Sequence, residues 1–332
     1  MATLTRKRTA GLAVITSRGR LPVIVTAGLL VVMFAAGSLQ YDGFFSGQVV
    51  LNLLIDNAFL LVAAVGATFV ILTGGIDLSV GAMVALSTMI CASLVQHHGW
   101  PIYAVIPLVL AVGAVAGFVM GYVIHHFRIQ PFIATLAGMF LARGLCYVIS
   151  VDSISITDPV FTDLAQARLP LPGGTFVSPS VVIALVVVAA AFYVLHYTRL
   201  GRGVYAIGGG EQSALLMGLP VARIKITVYT VSGLCSALAG VLLTFYMLSG
   251  YSLHAVGMEL DAIAAVVIGG TLLTGGSGYV LGTLLGVLVL GLMQTIISFQ
   301  GTLSSWWTKI VIGILLCVFI LLQRLIGTRK AR

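Results

Sequence analysis

Ten apolar runs divide this chain, at roughly 21–39, 49–73, 79–96, 102–124, 131–150, 180–197, 226–247, 260–273, 279–298 and 305–323. A helix needs about 20 apolar residues to cross the roughly 30 Å hydrocarbon core of a bilayer. Most of these runs meet that length. Charged residues make up only 8% of the 332 and hydrophobic ones 60%, where a soluble domain carries roughly a quarter charged. Too little polar surface is left to cover a water-soluble globule, so the bilayer must be the solvent. The 39 glycines suit helices that pack backbone to backbone in lipid. The expected fold is all-α, a polytopic integral membrane protein of about ten transmembrane helices. The run at 260–273 is too short to cross and is expected to be a half-helix completed by irregular backbone.

The net charge of +8 orients the chain rather than pointing to nucleic acid. Its basic residues cluster at the ends of apolar runs, and no extended basic, aromatic polar surface exists to hold nucleic acid. With ten spans both termini share a side, and 14 of the 17 Lys and Arg residues fall there. The other three are Arg143, Arg168 and Lys309. Both termini are therefore expected in the cytoplasm of a bacterial inner membrane. The organisation reads as a cytoplasmic segment over 1–20, a membrane domain over 21–323 and a cytoplasmic tail over 324–332. An outer loop spans about 151–179 and an inner, basic, Gly-rich loop about 198–225, either a docking surface or a plain connector. The first run exceeds a typical signal-peptide core of about 7–15 residues, so an uncleaved span is expected. Cys91, Cys146, Cys235 and Cys317 lie in apolar runs without metal-ligand spacing, and no metal site is expected.

The chain echoes itself. Leu72-Thr73-Gly74-Gly75-Ile76-Asp77-Leu78-Ser79-Val80-Gly81 resembles Leu273-Thr274-Gly275-Gly276-Ser277-Gly278-Tyr279-Val280-Leu281-Gly282. Each copy joins two apolar runs. Corresponding Gly-broken segments in two pseudo-repeated halves point to the central site of a transporter. The plainer account is that Gly-rich membrane turns look alike.

Few polar residues sit at membrane depth. A buried carboxylate costs about 2.5–3.5 kcal/mol on insertion scales, so Asp77 is expected to serve a gate or pathway, to cap a helix, or both. Asp56 and Asn57 share the second run with Thr68, which follows Asn57 by about three helical turns. Such a stripe lines a path or glues helices together. Arg143 needs a partner, and Glu259 or Asp261 is expected to meet it near the outer mouth; otherwise it snorkels. Catalysis finds little support. Gly275-Gly276-Ser277-Gly278 fits an intramembrane serine protease pattern, but no histidine follows Ser277 to act as its base. No lysine follows a glycine, so no phosphate-binding P-loop is present. Any ATP would be bound by another polypeptide.

Four segments carry a family resemblance. They are Ile71–Gly81; Val204-Tyr205-Ala206-Ile207-Gly208-Gly209 with Ser213-Ala214 and Met217-Gly218-Leu219; Glu259–Thr271; and Gly301-Thr302-Leu303-Ser304-Ser305-Trp306-Trp307-Thr308-Lys309. Together they closely resemble the permeases of ribose-type sugar ABC importers, over about residues 21–324. The last segment resembles the galactofuranose branch. The resemblance implies a non-catalytic subunit that forms the translocation pathway. It also implies partners: an ATP-binding subunit that holds ATP and Mg²⁺, a periplasmic sugar-binding protein and a second permease, related or identical. The loop holding Gly208, Gly209, Gly210, Glu211, Ser213, Ala214, Met217 and Gly218 would then dock on the ATPase. The family usually has Asn where this chain has Gly210. The coupling helix is therefore expected either to lack its N-cap or to be capped by Glu211 or Ser213. A sugar site needs neutral hydrogen-bonding groups and aromatic faces, for which Asn57, Thr68, Phe69 and Phe140 are candidates beside Asp77, Arg143, Glu259 and Asp261. The competing class is a proton- or sodium-coupled secondary transporter, which shares the spans, repeat and buried acids but needs no ATPase.

Overall fold

A computed structural model describes residues 3–301 and 306–328, with side chains described over 22–301 and for most of 306–321. Every apolar run of the sequence becomes a helix. The order is α1 Thr3–Gln40, α2 Gly47–Leu72, α3 Val80–Ala92, α4 Ile102–His126, α5 Pro131–Ile149, β1 Ile154–Ser155, α6 Pro159–Gln166, β2 Leu169–Leu171 and β3 Thr175–Val177. Then follow α7 Pro179–Tyr197, α8 Arg199–Gly209, α9 Glu211–Leu216, α10 Val221–Met247, β4 Ser249–Gly250, α11 Met258–Ile268, α12 Val280–Gln300 and α13 Trp306–Thr328. A π-helical turn, Ser93–His97, extends α3. Eight helices among the described residues are long and apolar enough to cross a membrane, α3 counting with its π turn. The other two runs are α11, only 11 residues long, and α13, whose described apolar stretch is Lys309–Leu321. Among the described residues, full spans therefore number eight. Residues 302–305, inside the last family-like segment, lie outside the described residues, as do 329–332 of the tail.

Local chemistry sets the helix ends. Proline opens α5, α6 and α7, where its missing N–H costs nothing. Side chains of Ser46, Asp158, Ser178 and Thr198 accept the first free N–H groups of α2, α6, α7 and α8. Helices α2 and α10 form the centre, and α10 packs most extensively on α4, then on α2 and α3. The α4–α10 contact rests on glycines spaced by four. A methyl on Gly113 would strike the Gly233 carbonyl and Ala237, one on Gly117 the Tyr229 carbonyl, and one on Gly121 would lie 2.9 Å from Ile226 Cα. Small residues let the two backbones touch, which drives helix association where lipid removes the hydrophobic force.

The chain between α10 and α11 turns back into the molecule. Gly250 lies against Thr88 and Ala92 of α3, while Ala255 and Glu259 lie against Gly81. That is about 10 Å nearer the start of α3, at 1.5 Å per residue. Helix α11 thus begins at depth rather than at a surface, which explains why so short a run suffices. The opposite loop, 151–179, is ordered by α6 and by the hairpin of β2 and β3, paired Leu169 to Val177. β1 pairs with β4, Ile154 opposite Gly250.

Candidate functional site: the glycine hairpins and the segment beneath them

The two echoing segments meet. Residues 73–79 join α2 to α3, and 269–279 join α11 to α12. Gly276 N donates to the Leu72 carbonyl at 2.9 Å. Gly74 and Gly275 carry φ of +78° and +82°, which only glycine adopts freely. A methyl on Gly275 would lie 2.6 Å from Gly74 N. One loop therefore seats in the other through backbone alone. Helix α8 completes the junction. A methyl on Gly208 would strike both the Leu72 carbonyl and Gly276 N, and the Tyr205 hydroxyl donates to the Gly278 carbonyl at 2.9 Å. Burial pushes that hydroxyl up to about 12.

Asp77 locks the first hairpin. It is 3% exposed. One oxygen accepts from Ser79 N at 2.9 Å and the Ser79 hydroxyl at 2.6 Å, and the other accepts from the Ser232 hydroxyl on α10 at 2.7 Å. Ser232 lies eleven residues into α10, roughly 16 Å along it. The carboxylate is thus at membrane depth, with three donors offsetting its burial. Its bond to the N–H two residues on is a local turn bond, and Ser79 takes the cap position of α3 without a side-chain bond. Thr135 of α5 adds a bond to the Ile76 carbonyl at 3.3 Å.

The other expected site residues do not converge on one point. Thr68 bonds Thr283 of α12 at 2.8 Å and its own helix at Ala64. Phe69 is 3% exposed within the core. Both join helices together. Phe140 faces outward from α5, 66% exposed. Asn57 donates to the Leu53 carbonyl at 2.9 Å, packs on Gly291, and lines a cavity of about 370 Å³ with Asp261, His254 and Gln294. Arg143 makes no direct ion pair with Glu259 or Asp261 among the described residues, although its charge acts on Glu259. Its guanidinium donates to the carbonyls of Ser252, at 2.5 Å, and His254, at 2.9 Å, because the loop that turns inward brings bare carbonyls to it. Asp261 pairs with Lys309 at 2.6 Å. The Glu259 carboxylate sits against Gly81, with one oxygen lacking a hydrogen-bond partner. Sequence reasoning did not single out Ser232 or Gln294, and quoted Tyr205 only within a family-like segment; Thr230 and Ser236 flank Ser232 and Thr295 follows Gln294, so neither stands out as a lone polar residue.

Beneath the hairpins, α9 projects. Gly210 occupies its N-cap position and supplies no side-chain bond there. Glu211 pairs with Lys225 at 2.7 Å. Ala214 is fully buried and anchors the helix, while Leu215, Leu216 and Met217 are 54%, 90% and 66% exposed. Gly218, at φ +76°, turns the chain into α10. The arrangement is a short apolar knuckle fixed to α8, and through α8 to both hairpins.

Residues 49–320 match the family described as branched-chain amino acid transport system / permease component. The chain is 48% identical over 304 residues to the inner membrane ABC transporter permease protein YjfF of Escherichia coli K12, covering 92% of each. It is 41% identical to the fructose import permease protein FruG of Bifidobacterium longum, again over 92% of each. Identity to the ribose import permease protein RbsC of Haemophilus influenzae is 40%, over 91% of this chain and 93% of that one. No solved structure matches. The chain belongs to this family of ABC-transporter permeases, of the type of the ribose import permeases, and is a membrane-spanning transport subunit rather than an enzyme.

Proposed function

We propose that this chain forms the translocation pathway of an ATP-driven monosaccharide importer, with galactofuranose as the candidate sugar. The end carrying α8 and α9 is then cytoplasmic, as are both termini, which agrees with the distribution of Lys and Arg. ATP and Mg²⁺ belong to a partner ATPase, a periplasmic binding protein delivers the sugar, and a second permease, related or identical, completes the pathway. The observation that carries this reading is the exposed Leu215–Met217 knuckle, tied by α8 to the two hairpins. A push on the knuckle reaches Leu72 and Gly276 through rigid backbone contacts. Packed elements of this kind shift between two discrete arrangements rather than bending smoothly. The ribose and fructose names of the relatives support a sugar. The segment Gly301–Lys309 supports galactofuranose.

Leu216→Asp tests the docking role. An exposed apolar anchor contributes about 2 kcal/mol or more at an interface, so ATPase binding and sugar uptake are expected to fall at least about tenfold. Gln212→Ala, exposed on the same helix, should change neither. Copurification of the ATPase with tagged chain, alongside uptake of labelled sugar, measures both. An L216D variant that retains its ATPase and its uptake contradicts the docking role.

A further inference from the structure

The outer end of α10 meets α2 through Tyr246. Tyr246, next to last in α10, donates its hydroxyl to Asp56 at 3.2 Å. Asp56 lies nine residues into α2, roughly 14 Å below its start. Above this pair, the β2–β3 hairpin is pinned to the top of α2 by two bonds. Phe176 N donates to Gln48 Oε1 at 3.1 Å, and Gln48 Nε2 donates to the Phe176 carbonyl at 3.3 Å. The space between floor and roof is a cavity of about 390 Å³, within the roughly 300–1,000 Å³ range of small-molecule sites.

Its lining separates it from the apolar grooves beside α1 and α5. Those grooves are walled almost wholly by hydrocarbon, as lipid-facing grooves should be. This cavity has aromatic walls in Phe59, Phe245 and Tyr246. Phe59 and Tyr246 pack with ring centroids 5.9 Å apart. Ser180 and Arg168 supply polar groups. The Arg168 guanidinium lies 4.4 Å over the Phe176 ring and has no carboxylate partner among the described residues. Tyr246 is 49% exposed and Asp56 is exposed beside it. A carboxylate at this depth is too costly to face lipid, so this face of α2 and α10 is turned away from the bilayer, as a solute-lining face would be.

We propose that this cavity is an entry site for one neutral sugar, with Tyr246 and Phe59 contacting it and Asp56 positioning the Tyr246 hydroxyl. Aromatic faces suit the C–H faces of a sugar ring, while a phenol, a guanidinium and a serine meet its hydroxyls. One cation and one anion at opposite ends leave the site without net charge, which favours a neutral polyol over an acid. The proposal rests on the importer reading above.

The test is uptake by the assembled importer with its own binding protein, using labelled D-ribose, D-fructose, L-arabinose and D-galactose. Tyr246→Phe and Asp56→Leu should each lower uptake about tenfold, the equivalent of one hydrogen bond. Asp56→Asn, which still accepts the bond, should stay near the parent. The double variant should be no worse than either single one, because both remove the same bond. ATP hydrolysis stimulated by the binding protein should persist in all of them, which a merely structural role would not allow. Unaltered uptake in Y246F and D56L, additive losses, or transport and ATP hydrolysis falling together would overturn the entry site while leaving the importer reading intact. A parent protein that takes up none of these sugars, the furanose form of D-galactose included, and whose ATP hydrolysis the binding protein does not stimulate overturns the importer reading, and the entry site with it.

Discussion

Gly208→Ala is expected to lower sugar uptake at least tenfold without removing the protein from the membrane. The added methyl would sit inside the contact distance of the Leu72 carbonyl and of Gly276 N. Neither atom is free to retreat, since Gly276 N already donates to that carbonyl at 2.9 Å. Nor can α8 swing away cheaply, because Tyr205 holds it to the Gly278 carbonyl. Overpacking of this kind typically costs about 1–3 kcal/mol, and relief requires α8 to separate from the hairpins. That separation breaks the direct route from α9 through α8 to the two hairpins. Gly209→Ala is the control. A methyl there meets nothing within 4 Å, and its φ is not positive, so uptake should match the parent. Uptake and membrane abundance measured side by side decide the matter. Equal behaviour of G208A and G209A contradicts the coupling route.

Asp77→Ala is expected to have the largest effect on stability. Three donors lose their acceptor at once: Ser79 N, the Ser79 hydroxyl and the Ser232 hydroxyl. Each buried polar group left unpaired costs about 1–3 kcal/mol, so the sum approaches the whole stability of a typical domain, about 5–15 kcal/mol. The variant should fail to accumulate or should unfold at a much lower temperature in detergent. Ser232→Ala removes a single bond while the Asp77 carboxylate keeps Ser79, so its cost should be about 1 kcal/mol. Thermal unfolding of the detergent-purified complex compares the two. Parent-like melting of D77A would show that the carboxylate does not hold the hairpin.

The helices were legible because lipid imposes one rule on every span, and length alone reports it. The same rule exposed the half-helix: the run at 260–273 was too short, and α11 ends at Ile268. The echo between 72–81 and 273–282 was legible as sequence, but the seating of one loop in the other was not. It depends on glycines whose only role is to have no side chain, and such a role leaves no chemical signature. Side-chain direction was harder still. Asn57 and Asp56 are neighbours, yet one residue is about 100° of helix rotation. That turn places Asn57 against Gly291 and Asp56 at an exposed face beside Tyr246. In a helix that is apolar all round, no periodicity marks which face is which. Arg143 shows a different gap. Opposite charges suggested Glu259 or Asp261, but the loop over 251–257 turns inward and offers carbonyls instead. Backbone acceptors are invisible in a sequence.

On the importer reading, this chain moves sugar on the power of a separate ATPase docked at α9. The most direct measurement is to tag the chain in its host, extract it gently, identify what copurifies, and follow sugar uptake by the recovered complex in proteoliposomes. The expected recovery is an ATP-binding protein, a second permease or a second copy of this chain, and uptake that requires ATP. Recovery of the chain alone, with uptake that needs no ATP and is abolished by a proton uncoupler, would contradict it and establish a secondary transporter.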